Sequence, residues 1–189
     1  MIYGIIDNFL PFVMQEEIKK KLLSGIEDFD WQFIPDVTYG IDAKDDERNP
    51  AFRHMFKKDD KIIKELAKRG AKEAKYPTSN VVQARSFLQM PLHEKFLKTN
   101  VDLLHVDIHS PHLVVLYYVV DSDGDTIIVD KQATDNDSIR YDLKAKDFDK
   151  KVRVKPKQGR AVIFDGSYYH TAEQPINDIR CIINVDIAE

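Results

Sequence analysis

The chain has 189 residues, 28 Lys and Arg against 32 Asp and Glu for a net charge of −4, and 43% apolar residues, enough for one well-buried domain and short for two. Charges of both signs with Leu, Ile, Val and Phe recurring throughout exclude disorder as the main state, and the single Cys181 excludes an internal disulfide or a cysteine-built zinc cluster. No run approaches the roughly 18 apolar residues of a membrane span, the N-terminus lacks the basic start of a signal peptide, and mild acidity gives no general attraction to nucleic acid or an anionic membrane, so a cytoplasmic protein is expected, in the host cytoplasm if viral.

Residues 15–25 place Ile18, Leu22 and Leu23 at helical spacing with Lys19, Lys20 and Lys21 between them, the pattern of an amphipathic surface helix. Phe29, Trp31 and Phe33 then alternate with Asp30 and Gln32, and Phe52, His54 and Phe56 with Arg53 and Met55, which predicts two strands. A second helix is expected over 59–75, capped by Asp59 or Asp60, with Ile62, Ile63, Leu66, Ala67 and Ala71 on one face. Its basic residues are interspersed with Asp59, Asp60, Glu65 and Glu73, so the opposite face reads as solvated and not as a phosphate site.

From Val81 onward strand signals crowd together. Residues 113–120 form a continuous apolar and aromatic run, and the Asp-Gly signal within 121–125 predicts a hairpin into a second strand over 126–129. Residues 161–164 make another strand, Asp165-Gly166 turns the chain, and 180–187 alternates: Arg180, Ile182, Asn184 and Asp186 share one face, Cys181, Ile183, Val185 and Ile187 the other. The expected fold is mainly β within the α+β class, a mostly antiparallel sheet closed into a barrel or sandwich and buttressed on one side by the N-terminal helices. Nothing marks a boundary, so residues 1–189 read as a single domain, 1–100 supplying helices and supporting strands and 101–189 the core.

His105-Val106-Asp107 is the first chemical candidate, because residues i and i+2 of a strand point to one side and an imidazole and a carboxylate there can grip one ion. By itself the triplet is equally a surface His beside a solvated Asp. His170, after the 161–164 strand and its turn, stands where a sheet returns toward His105; two imidazoles and one carboxylate on one face leave positions open on Fe(II). Pro175 and Asn177-Asp178 allow Arg180 to come back on an adjacent strand into the same lumen, where a fixed cation suits the distal carboxylate of a dicarboxylate whose other end chelates the metal.

Taken in order, His105-Val106-Asp107, the 113–118 run with its Asp121 to Thr126 turn, 159–165, His170 and Arg180 resemble the 2-oxoglutarate- and Fe(II)-dependent oxygenases of the prolyl 4-hydroxylase-like branch, and are similar to small predicted oxygenases of marine bacteriophages and bacteria. The resemblance covers residues 102–187. It implies a double-stranded β-helix, or jelly roll, with His105, Asp107 and His170 as iron ligands and catalytic centre, Arg180 holding the far carboxylate of 2-oxoglutarate, and O2 as the other cosubstrate. Tyr118 aligns with a tyrosine that joins the carboxylate site, and Thr126 with the threonine after the turn. Val120 and Gly124-Asp125 depart from the Asn and the glycine pair of many relatives, and Asp107 argues against the family's halogenases. The implied reaction is hydroxylation of a C–H bond, with prolyl or other peptidyl residues first among substrates, a free amino acid or small metabolite second and a nucleobase third.

Two rivals stand beside this reading: a jelly-roll binding module without turnover, and a hydrolase that keeps the metal but makes it Zn(II). Separately, His105, His109 and His112 offer a His-rich triad for Zn(II), against which Ser110-Pro111 breaks the helix that would gather His105 and His109. Asp121, Asp123 and Asp125 are read as a turn and not a calcium loop, the acidic stretch 121–142 as a loop beside the barrel mouth that favours a cationic or neutral substrate, and Trp31, Tyr39, Gln83 and Arg85 as channel candidates at least as suited to structural roles.

Overall fold

The computed structural model describes residues 1–25, 29–37, 49–93, 101–134 and 143–189, and the backbone alone at 139–140. Its elements run β1 (Ile2–Ile6), α1 (Phe12–Leu23), β2 (Gln32–Ile34), β3 (Ala51–Met55), α2 (Lys61–Ala74), β4 (Val81–Gln89), β5 (Leu104–His105), β6 (Leu113–Tyr118), β7 (Thr126–Gln132), β8 (Ile139–Arg140), β9 (Lys151–Val154), β10 (Ala161–Asp165), β11 (Tyr168–Ala172) and β12 (Arg180–Ile187). All of the strand pairs are antiparallel. They form a seven-stranded sheet in the order β1-β10-β6-β12-β4-β3-β2 and a five-stranded sheet in the order β8-β5-β11-β7-β9. The large sheet therefore mixes strands from before and after residue 100.

The two sheets face each other, and the helices cover the outer face of the large one. Alternation along β6 and β12 builds both layers at once. Leu113, Val115 and Tyr117 with Cys181, Ile183, Val185 and Ile187 meet Ile18 and Leu22 of α1 and Ile63, Leu66 and Ala67 of α2. Val114, Leu116, Tyr118 and Ile182 turn the other way and meet Ile128 and Val154 of the small sheet. A strand buried on both faces has no polar face to show, which is why 113–118 reads as an unbroken apolar run. A third cluster, with Leu104, Ile127 and Tyr169, seals the outside of the small sheet.

The helices form close to expectation. Asp60 accepts hydrogen bonds from the Ile62 and Ile63 amides at 2.8 and 3.4 Å and starts α2, and Lys75 ends it in the left-handed conformation (φ 51°). α1 begins three residues before the expected start, directly after Pro11, whose fixed φ suits a first turn. Phe29 and Trp31 lie outside strand β2; the Trp31 indole donates to the Leu22 carbonyl at 3.1 Å and packs with the helices.

The expected hairpin after residue 120 does not form. β6 is flanked by β10 and β12, and β7 by β11 and β9, so residues 119–125 carry the chain from one sheet to the other. A two-residue Asp-Gly hairpin needs positive φ at its central positions; among the described glycines only Gly25 and Gly159 have it. Gly124 serves close approach instead: a Cβ there would lie 2.6 Å from the Glu173 carbonyl oxygen and 3.1 Å from Arg180.

Gly70 has the same role in α2, where an added Cβ would overlap the side chain of Val115, a fully buried β6 residue. Ala gains about 1 kcal/mol of helix propensity over Gly, but a methyl forced into a β-branched core neighbour costs about 1–3 kcal/mol. Gly70→Ala is expected to lower the thermal midpoint, read by circular dichroism; an unchanged or raised midpoint would mean that helix and sheet can separate without loss.

Candidate metal centre

β5 and β11 lie side by side with His105 opposite His170, which brings the two imidazoles to a ring-centroid separation of 4.6 Å. Each ring is oriented by nearby backbone: Nδ1 of His105 is 2.9 Å from the Leu103 carbonyl and Nδ1 of His170 is 3.2 Å from the Tyr168 carbonyl. A carbonyl only accepts, so both Nδ1 atoms carry a proton and Nε2 is the atom each ring turns to the site. They converge with a carboxylate. Nε2 of His105 is 3.9 Å from Asp107 Oδ1, Nε2 of His170 is 3.4 Å from Oδ2, and one ligand atom from each of the three residues lies within 4.8 Å of the others. Burial, and after it the neighbouring His170, pushes the His105 imidazole down to about 4, so at neutral pH it is in its ligating form. The donor set fits Fe(II) with coordination positions left open.

Asp107 is not placed by strand alternation. β5 stops at His105, and Asp107 stands in the bend beyond it. Its carboxylate is held from the opposite sheet, where Arg85 Nη2 donates to Oδ1 at 2.5 Å and Asn184 Nδ2 to Oδ2 at 2.9 Å. Burial alone would raise this carboxyl, but Arg85 and the two imidazoles more than offset it and hold it well below the ordinary carboxylate range. Arg85 Nη2 also reaches Asp186 Oδ2 at 3.2 Å. Burial and the adjacent Asp107 push Asp186 the other way, well above its ordinary value.

Arg180, the first residue of β12, is buried and already oriented. Nε donates to the Gly124 carbonyl at 3.0 Å, Nη1 to Gln89 Oε1 at 3.0 Å and Nη2 to Thr126 Oγ1 at 2.9 Å. A guanidinium has five N–H groups, so one remains on each terminal nitrogen, the pair that grips a carboxylate in a fork. It belongs to the sheet opposite His170, not to a neighbouring strand as the sequence suggested, and still faces the same lumen. A cavity of about 230 Å³ is lined by His105, Asp107 and His170 together with Thr126, Arg180 and Arg85. Tyr118 is buried among Leu116 and Ile182; its hydroxyl has no hydrogen-bond partner, and burial pushes the phenol up to about 12 with Arg180 pulling against it.

Other candidates fall elsewhere. His109 is exposed. His112 is buried with Nδ1 2.8 Å from the Ser110 carbonyl; it forms a second possible cluster with Asp107 and Asp186, but Arg85 already bridges those two carboxylates. Asp123 accepts from the Ile176, Asn177 and Asp178 amides and from Asn177 Nδ2, and Asp125 pairs with Arg153, so these carboxylates fasten loops. Within 121–142, residues 126–132 are strand β7 and not loop, while 135–138 and 141–142 lie outside the described residues, as does Tyr39. Of the channel candidates Arg85 lines the cavity; Trp31 and Gln83 do not. Sequence reasoning missed the parts played by Asn184, Asp186, Gln89 and the buried Asp102.

No family model matches the sequence, and no curated protein does. Solved structures resemble it over nearly its whole length. The α-ketoglutarate-dependent carbocyclase SnoK of nogalamycin biosynthesis superposes with a TM-score of 0.67 at 14% identity, covering 96% of this chain and 77% of SnoK. A Trichoplax adhaerens prolyl hydroxylase, solved with a hypoxia-inducible-factor peptide fragment, gives 0.62 at 12% over 97% and 82%. A Pseudomonas putida prolyl-4-hydroxylase gives 0.60 at 10% over 98% and 92%. The chain has the double-stranded β-helix fold of the 2-oxoglutarate-dependent oxygenases. Within this oxygenase fold the likeness is one of architecture, and the site rests on the geometry above. No helix among the described residues is long and apolar enough to cross a membrane.

Asp102 lines the same cavity and accepts from Asn49 Nδ2 at 2.5 Å. Burial, reinforced by Asp36 and opposed by Asn49 and Arg180, raises its carboxyl to about 7. The folded protein therefore keeps a proton that the unfolded chain loses near pH 4, and stability falls as pH rises between about 4 and 7. Asp102→Asn removes that titration and keeps the acceptor. Above pH 7 its thermal midpoint is expected to exceed the wild type's, with the gap closing toward pH 4; parallel curves would mean that Asp102 ionises freely.

Proposed function

We propose that the protein is a non-haem Fe(II) dioxygenase that couples oxidative decarboxylation of 2-oxoglutarate to hydroxylation of a C–H bond. The observation that carries this reading is a conjunction: two imidazole Nε2 atoms and a carboxylate converge in one cavity with a guanidinium that has two N–H groups unspent. His105, Asp107 and His170 would hold the metal. When bound, ferrous ion supplies the activation of O2 and the oxidising power that no side chain here possesses.

The chain's own residues do the rest. Arg180 fixes the distal carboxylate of the cosubstrate, and Gln89, Thr126 and the Gly124 carbonyl hold the guanidinium still while it does so. Leu116 and Ile182 line the cavity wall and limit water. A buried carboxylate-binding arginine has no task in a zinc hydrolase, and a module without turnover has no need of three metal donors beside it. Among substrates we place peptidyl proline first, supported by the fold likeness to prolyl hydroxylases; an unbound small metabolite comes next and a nucleobase after it.

Anaerobic titration with Fe(II) and then 2-oxoglutarate tests the reading. The wild type is expected to develop the visible charge-transfer band of the ferrous chelate, with Asp107→Ala losing Fe(II) affinity. Arg180→Ala should bind Fe(II) as the wild type does and lose about 2–5 kcal/mol of 2-oxoglutarate binding, as when one partner of a buried charged pair is removed. Equal loss of both ligands would make Arg180 structural, and a wild type that binds no Fe(II) would end the proposal.

A further inference from the structure

Asp107 is the metal-ligand candidate that no strand seats. It follows β5 in a bend, while the histidines are fixed by sheet pairing and by their carbonyl partners. A carboxylate on a bend is free to rotate about two torsions, and in a cavity with two imidazoles it has no reason of its own to stop where its oxygens face their Nε2 atoms. The restraint comes from across the lumen. Arg85 of β4 and Asn184 of β12 are register partners in adjacent strands, so their side chains leave the sheet on the same side. Each takes one oxygen of Asp107, Arg85 Oδ1 and Asn184 Oδ2.

Arg85 is itself restrained. The nitrogen that meets Asp107 also donates to Asp186 Oδ2 at 3.2 Å, and the guanidinium carbon lies 5.7 Å from the centroid of the Phe87 ring. Asp186 is fully buried, two residues beyond Asn184 on the same face of β12, and no step of the proposed chemistry uses it. Desolvation leaves a buried network of this kind little net stability to contribute. What it supplies is geometry.

We propose that Arg85, anchored on Asp186, is a positioning residue that fixes the orientation of the Asp107 carboxylate before the metal arrives. The inference rests on the metal-centre reading above. Arg85 touches neither metal nor cosubstrate in this role; it acts through Asp107. Arg85→Lys keeps the charge beside Asp107 and changes the donor geometry, so the effect of position can be read apart from the effect of field.

The test compares wild type, Arg85→Lys, and the double variant Arg85→Met with Asp186→Asn, which removes the anchor together with the residue it holds. Fe(II) affinity and the wavelength of the ferrous 2-oxoglutarate band are measured anaerobically, with thermal midpoints as a check on folding. Loss of a partner that orients a metal ligand typically costs about 10–100-fold in metal affinity. That loss, with a displaced band, is expected in the folded double variant, and Arg85→Lys, which keeps the charge and one donor, is expected to fall between. Unchanged affinity and band in both variants would overturn the proposal while leaving the metal centre standing. Unfolding of Arg85→Lys, which preserves the buried charges, would also overturn it by assigning Arg85 to the fold. Absence of Fe(II) binding in the wild type would instead defeat the metal-centre reading itself.

Discussion

Every residue of β12 is buried, and Arg180, Asn184 and Asp186 are among them. Burying a charge or an amide without partners costs several kcal/mol, so a strand that crosses the middle of the molecule with three such groups on one face commits the opposite sheet to answering them. Asp107, Thr126 and the Gly124 carbonyl are parts of that answer, and Gln89 and Arg85 from the neighbouring β4 are others. The lumen is polar where β12 is polar and apolar at Ile182, between Arg180 and Asn184. The Arg180 end and the Asp107 end of the cavity are set by successive inward positions on this one strand.

The crossing between the sheets is the other fixed point. Residues 119–125 leave the large sheet and enter the small one, and their carbonyl and carboxylate groups are spent on the segment just before β12. Asp123 gathers the amides of 176–178, and the Gly124 carbonyl receives Arg180 Nε. Gly124 packs too closely against the Glu173 carbonyl for any other residue to stand there without a shift. The loop that the sequence presents as a turn signal is thus what sets the height and tilt of the guanidinium. Disturbing it would move a binding group some 55 positions later in the chain.

What was legible in the sequence follows from how local its cause is. Alternation over 180–187 assigned both faces of β12 correctly, because a strand buried on two sides has to place its polar residues on one of them. The capping Asp60 and the apolar face of α2 were equally local. The Asp-Gly signal misled because Asp-Gly also serves where a chain must pass close to another backbone, and only the φ values distinguish the two uses. His105 and His170 could be brought together by sheet return, but the restraint on Asp107 could not be foreseen. Arg85 lies 22 residues before Asp107 and 101 before Asp186, and nothing in the pattern around a charged residue in an otherwise half-buried strand says which carboxylate it meets. Arg180 was found for its inward position, yet placed on the wrong sheet, because connection length between strands does not say whether the chain returns to its neighbour or crosses the sandwich.

The site's electrostatics suit the cation that the proposed function requires. Burial keeps the His105 imidazole neutral, and Arg85 above all holds the Asp107 carboxyl well below its ordinary range. No proton therefore has to leave these two groups when a cation enters at neutral pH, and affinity is not spent on deprotonation. The balancing charge is carried by the Arg85 guanidinium, whose Nη2 is shared between Asp107 and Asp186. Arg180 shows the same logic at the other end: three donors are committed to the protein, two are held in reserve, and the reserve is oriented by the commitment. Both cations of the cavity are thus fixed by contacts that do not involve the ligands they would serve, and the entropy of arranging them is spent during folding and not at binding.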